Sequence, residues 1–296
     1  MAVIVDRITK DIEGRSFYNS SLPDAIRAAQ EHAGKDGYVA SMPQLLHSRV
    51  VAPVENEIWQ NWFTANSEEN LGRTQDGKPV VIAVHGGGIL APERIERAYA
   101  EGLTASYSAK LDDKEIKDLL AGKLPGGKEI PVYSFSDFKM GVVPKTLRQY
   151  AVVMDLDQAA SLESGQPNID KLRDNPLFIV RAGGAEEANS YLDRAKEVHK
   201  TSKYGNRHPF GDADANQPQG RVLFLCQDAD VGLFGVGRLG NDGRSVGVAP
   251  EARGPQNLVR TYNAEDIATA AQELQRLREF ARPEHIKSLE ALLGKL

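Results

Sequence analysis

A chain of 296 residues with 41% hydrophobic and 26% charged side chains has enough apolar surface to bury a core and falls outside the disordered and fibrous classes. Its formal charge of −5 excludes a nucleic-acid-binding surface spread over the whole molecule and points to small molecules or proteins as partners. No apolar run approaches the ~20 residues that span a bilayer, and Met1–Asp11 is charged too soon for a signal peptide, so no membrane partner and a cytoplasmic location are expected.

In chain order, AVIVD (residues 2–6) reads as a strand. Between Leu22 and Thr64 the pattern reads as helical, including VENEIWQNWFTA, which would bury Ile58, Trp59, Trp62 and Phe63. PVVIAV (Pro79 to Val84) is a second strand, followed by His85, three glycines and a helix over 91–103. That helix places Pro92 in its first turn and Ile95, Ala98, Tyr99 and Leu103 on one face. Residues 104–148 read as a short helix with loops and are a candidate insertion. QYAVVMDL (Gln149 to Leu156), PLFIVR (Pro176 to Arg181) and RVLFLCQ (Arg221 to Gln227) complete five apolar runs read as strands. Most are continuous rather than alternating, which suits strands covered on both faces.

The lone cysteine, Cys226, lies in the last of these runs and reads as a buried thiol. His208 to Gly220 is a polar loop, and GNDG (Gly240 to Gly243) is a hairpin signal. Ile267, Ala270, Ala271, Leu274 and Leu277 share a face of a helix after Asn263, within a helical segment over 264–296. The fold expected is α/β: one domain over 1–296 with a mainly parallel sheet flanked by helices, a late antiparallel β-hairpin and inserted loops.

Chemistry is expected at strand ends. Gly86, Gly87 and Gly88 let the backbone approach a ligand, and the helix after them offers unpaired N–H groups to an anion. His85 stands at the mouth of that turn. LFIVRAGG repeats the pattern of VIAVHGGG, which adds Arg181, Gly183 and Gly184 as ligand contacts. Arg207 and His208, set between aromatics in YGNRHPF, complete that set.

Two resemblances bear on the reaction. HGGG resembles the oxyanion-hole motif of hormone-sensitive-lipase-like esterases, and GRSVG (Gly243 to Gly247), Asp266 and His285 follow in the order that this resemblance implies. Ser245, however, follows a hairpin signal instead of joining a strand to a helix. YAVVMDLDQ resembles the first motif of haloacid-dehalogenase-like phosphohydrolases, which implies Asp155 as nucleophile and Asp157 as acid and base. VLFLCQDADVG resembles their late acidic motif, which implies Asp228 and Asp230 as ligands of Mg2+. Ala159 stands where that pattern has threonine.

Together these features lead to the expectation of a hydrolase acting on a small anionic metabolite, such as a phosphorylated one, at the carboxyl edge of the sheet. A homo-oligomer is the candidate assembly. The alternative is a non-catalytic ligand-binding or assembly protein whose glycine turns are structural.

Overall fold

Antiparallel pairing organises the chain. The computed structural model describes residues 2–4, 12–141, 147–210, 216–227, 231–236 and 239–250, all within the first of two units, Met1–Glu251. Its strands are β1 (Ala2–Ile4), β2 (Ile12–Asn19), β3 (Tyr38–Val39), β4 (Phe63–Arg73), β5 (Pro79–His85) and β6 (Ala109–Lys110), then β7 (Val132–Ser134), β8 (Tyr150–Asp155), β9 (Gly205–Arg207), β10 (Gln219–Cys226), β11 (Gly232–Phe234) and β12 (Gly243–Val248). The helices are α1 (Leu22–Ala33), α2 (Met42–Val51), α3 (Glu57–Gln60), α4 (Pro92–Glu101) and α5 (Asp113–Leu120), then α6 (Phe135–Lys139), α7 (Leu156–Ala159), α8 (Ile169–Leu172), α9 (Pro176–Ala182) and α10 (Ala185–His199).

The larger sheet runs β7-β8-β5-β4-β10-β11-β9, with β6 also on β10, and the smaller runs β1-β2-β12-β3. Among the described residues only β7 with β8 and β9 with β11 pair in parallel. The mainly parallel sheet read from the sequence is therefore corrected to a mixed, mainly antiparallel one. The apolar runs misled because β5 and β8 are covered on both sides. Val81, Ala83, Val152 and Met154 enter one core with α2, α9 and α10, while Val80, Ile82, Val84 and Ala151 enter another with α4 and α5. Double-sided burial, rather than parallel pairing, makes a strand continuously apolar.

Three further elements differ from the expectation. PLFIVR is helix α9, capped by Asn175, whose side chain accepts from the Phe178 N–H, and ended by Gly183 in the left-handed region. VENEIWQNWFTA is helical only over Glu57–Gln60, and Phe63 already opens β4. GNDG does not close a hairpin, since β11 lies in the larger sheet and β12 in the smaller. The late hairpin is instead β10 with β11, pairing Cys226 with Gly232. Within 104–148, β6 and β7 both join the larger sheet. The C-terminal helical segment 264–296 lies outside the described residues. No helix among the described residues is long and apolar enough to cross a membrane.

Candidate functional site

The glycine turn after β5 holds a carboxyl group supplied by the chain itself. Gly86 and Gly87 have φ of +81° and +96°, and both N–H groups donate to the Asn66 carbonyl at 2.9 and 3.1 Å. Beyond them the Ile89 N–H donates to Glu68 Oε1 at 2.9 Å and the Leu90 N–H to Oε2 at 2.8 Å. Asn70 Nδ2 adds a third bond to Oε1 at 2.8 Å. The seat that the sequence offers to a ligand is thus taken by a buried glutamate from the neighbouring strand. Burial pushes the Glu68 carboxyl up, and the three donors pull it back towards the charged form.

Gly88 is tied to this arrangement, because a Cβ there would stand 2.3 Å from Glu68 Oε1. Gly88→Ala is expected to displace the carboxylate from its N–H donors and cost about 2–3 kcal/mol, the scale of a buried charged group losing its hydrogen bonds. Chemical denaturation would measure it, and a variant as stable as the parent would show that the turn yields freely.

His85 lies on the other face of the same strand pair and is fully buried. Its Nε2 lies 3.0 Å from the Val180 carbonyl, which can only accept, so that nitrogen carries the proton. Nδ1 then accepts from Ser67 Oγ at 2.9 Å, and Ser67 Oγ accepts from the Met42 N–H at 2.9 Å. Both ring nitrogens are engaged inside the protein. Burial holds the imidazole pKa down to about 4, so His85 is neutral near pH 7.

Arg181 makes a buried bidentate pair with Glu69, Nε to Oε1 at 2.7 Å and Nη2 to Oε2 at 2.9 Å. Its remaining donors reach Asn206 Oδ1 at 2.7 Å and the carbonyls of Leu233 and Arg207 at 3.1 and 3.2 Å. All five N–H groups have acceptors. Gly183 and Gly184 join α9 to α10, and a Cβ on Gly183 would meet Pro43 Cβ at 2.8 Å. Their setting is helix–turn–helix, whereas Gly86–Gly88 link a strand to a helix.

Arg207 ends β9 with its guanidinium 5.1 Å from the Phe234 ring centroid. His208 is buried: its Nε2 donates to the Leu162 carbonyl at 2.8 Å and its ring stacks on Phe210. Desolvation, reinforced by Arg181, holds its pKa below the usual histidine range.

Asp155 and Asp157 lie elsewhere. Asp155 caps α7 and pairs with Lys78 Nζ at 2.8 Å, and Asp157 is exposed in the first turn of that helix. Because β8 runs antiparallel to β5, Asp155 pairs in register with Val80 while His85 pairs with Tyr150. That places Asp155 about 17 Å from His85 along the sheet, too far for one small-molecule pocket. Ser245 is buried within β12, far in conformation from a nucleophile elbow. Asp228, Asp230, Asp266 and His285 lie outside the described residues. Among the described residues no group of three or more His, Cys, Asp or Glu is arranged to hold a metal ion.

The groups that face outward are others. A pocket of about 560 Å³ beside α5 is lined by Lys114, Asp118 and Lys123 over Ile89 and Leu124. Lys114 and Asp118 pair with each other across 2.6 Å. On the smaller sheet, Tyr18 is 57% exposed. It lies opposite Arg244 in register, and the Arg244 guanidinium stands 5.3 Å from the Tyr18 ring centroid and 5.7 Å from that of Trp62. Trp62 in turn rests on Phe224 at 6.4 Å, and Phe224 pairs across strands with Phe234.

No family model matches the chain, and no curated protein matches it. A solved structure is similar to it with a TM-score of 0.64 and 28% identity, over 82% of this chain and 99% of that one. That structure shows accommodation of massive sequence variation in Nanoarchaeota by the C-type lectin fold. Its similarity overturns the expectation of an α/β hydrolase, and it accords with the mixed sheets and internally engaged polar groups described above. This chain is similar, over most of its length, to a protein with the C-type lectin fold.

Proposed function

We propose that the protein is a non-catalytic binding protein, in which a rigid interior carries a recognition surface. The occupied glycine turn carries this reading: the backbone donors best placed to hold a substrate anion hold Glu68. His85 and Arg181 support it, since each has its hydrogen-bonding capacity engaged within the interior. The neighbouring structure adds a further support, because its C-type lectin fold accommodates massive sequence variation. A scaffold of that kind separates buried polar residues that fix the backbone from outward residues that are open to change.

Saturation mutagenesis with a protease-resistance readout of folding tests the division. Most substitutions at Tyr18 and Arg244 are expected to leave the folded fraction unchanged, and most at Glu68 and Arg181 to abolish it. Equal sensitivity at both sets would sink the scaffold reading. Turnover of p-nitrophenyl acetate or phosphate that disappears in His85→Gln would overturn the non-catalytic one.

A further inference from the structure

We propose that Tyr18, Trp62 and Arg244 form a docking site for a partner-protein segment that presents a carboxylate beside an apolar or aromatic side chain. This rests on the binding reading above and names the class of partner. The central observation is how Arg244 is held. The guanidinium lies against two ring faces at 5.3 and 5.7 Å, its Nε has no hydrogen-bond partner, and among the described residues no carboxylate pairs with it. Arg181, Arg94 and Arg173 are matched to the acids Glu69, Glu115 and Asp193, and Arg49 and Arg221, which also lie over rings, spend their donors on oxygens of the interior.

The acids nearest Arg244 are engaged otherwise. Asp242 raises the pKa of the Tyr18 hydroxyl beside it, and Glu57, whose carboxyl the Arg244 charge helps to hold low without an ion pair between the two, accepts from Ser16 Oγ at 3.3 Å. The result is an oriented cation without an acceptor, half-buried beside an exposed tyrosine. Guanidinium presents paired donors to a carboxylate, and the flanking rings exclude water from that contact. One guanidinium balances one carboxylate, whereas a phosphate dianion would place its second charge near Asp242 and Glu57. The geometry is also preorganised: Tyr18 and Arg244 are cross-strand partners, and Trp62 stands edge-on to Tyr18 at 82° with Phe224 beneath it. Tryptophan, tyrosine and arginine are the side chains that dominate binding energy at protein interfaces.

The test is selection of a phage-displayed linear peptide library on the full chain, followed by fluorescence anisotropy of the enriched peptides. Enriched sequences are expected to carry Asp or Glu next to an aromatic or aliphatic residue. Replacing that acid by its amide, or Arg244→Gln in the protein, should weaken binding roughly tenfold or more, as loss of a charge-assisted hydrogen bond does. The two losses should not add when combined. Thermal melts of Arg244→Gln should match the parent, and Trp62→Phe should bind more weakly while remaining folded. Peptides without an acid, binding indifferent to Arg244→Gln, or no enrichment at all would each overturn the site. Peptides that bind elsewhere would do so while leaving the binding reading in place. His85-dependent turnover would overturn that reading without altering the anisotropy result.

Discussion

Arg181→Met is expected to cost about 3–5 kcal/mol of folding stability, the penalty for leaving one member of a buried ion pair uncompensated. Glu69 and Arg181 are both fully buried, so neither can turn to water when its partner is lost. Removal of the guanidinium also takes a donor from Asn206 Oδ1 and from the carbonyls of Arg207 and Leu233, which lie on the paired strands β9 and β11. Even the space around the pair is committed, since a Cβ on Gly235 would lie 2.6 Å from both Arg181 Nη2 and Glu69 Oε2.

The double variant Glu69→Leu with Arg181→Met should recover much of the loss, because it removes both charges together. Nearby Arg221, whose pKa burial lowers to about 10, feels opposite influences from Glu69 and Arg181, which the double variant deletes together. Urea midpoints of the three proteins at neutral pH give the comparison. A single variant within about 1 kcal/mol of the parent would show that the interior relaxes around an unpaired carboxylate.

Acidification should produce the second large effect. An exposed histidine titrates near 6.5, and burial holds His85 to about 4. Between those values the unfolded chain takes up a proton that the folded protein excludes. Stability is therefore fully present above pH 6.5 and declines as pH falls towards 4, by about 3 kcal/mol from this one residue. His199, half-buried near Arg49 and also held to about 4, contributes in the same direction. Glu68 works against them, because its raised carboxyl favours the folded state on the acid side. The contribution of His85 is isolated by comparing urea unfolding across this range for the parent and for His85→Gln. The variant should lose the slope of one proton, and identical slopes would refute the assignment.

Part of this architecture was legible from residue order. β5, β8 and most of β10 stand where apolar runs put them, and α4 begins at Pro92 as its first-turn proline indicates. What escaped was the identity of elements buried on every side. Leu177 to Ala182 are all buried in α9, so this short helix shows no polar face and its run imitates a strand. The better signals were Asn175, Pro176 and Gly183, a cap, a first-turn proline and a terminating glycine.

The converse error concealed β4. Its sequence, FTANSEENLGR, has the polarity of a loop, yet Thr64, Ser67, Glu68, Glu69 and Asn70 are buried within it. Alternation along the strand sends Ser67 and Glu69 towards His85 and Arg181, and Glu68 and Asn70 towards the glycine turn. Ser67, Glu68 and Glu69 find partners 18, 21 and 112 residues away, and no local pattern announces such a partner. The docking site escaped for a similar reason, as Tyr18, Trp62 and Arg244 come from three segments joined only by strand pairing and packing.

The pairing of β2 with β12 sets the order in which this protein can be made. Ser16 meets Val246 in register, so the smaller sheet cannot close on a ribosome until nearly all of the described chain has emerged. Until then β2 carries an unsatisfied edge through most of synthesis, a hazard for strand exchange between nascent copies. Contacts so distant in sequence also slow the search for the native state. Loss of a few residues before Val248 would therefore undo the amino-terminal part of the fold as surely as a deletion there.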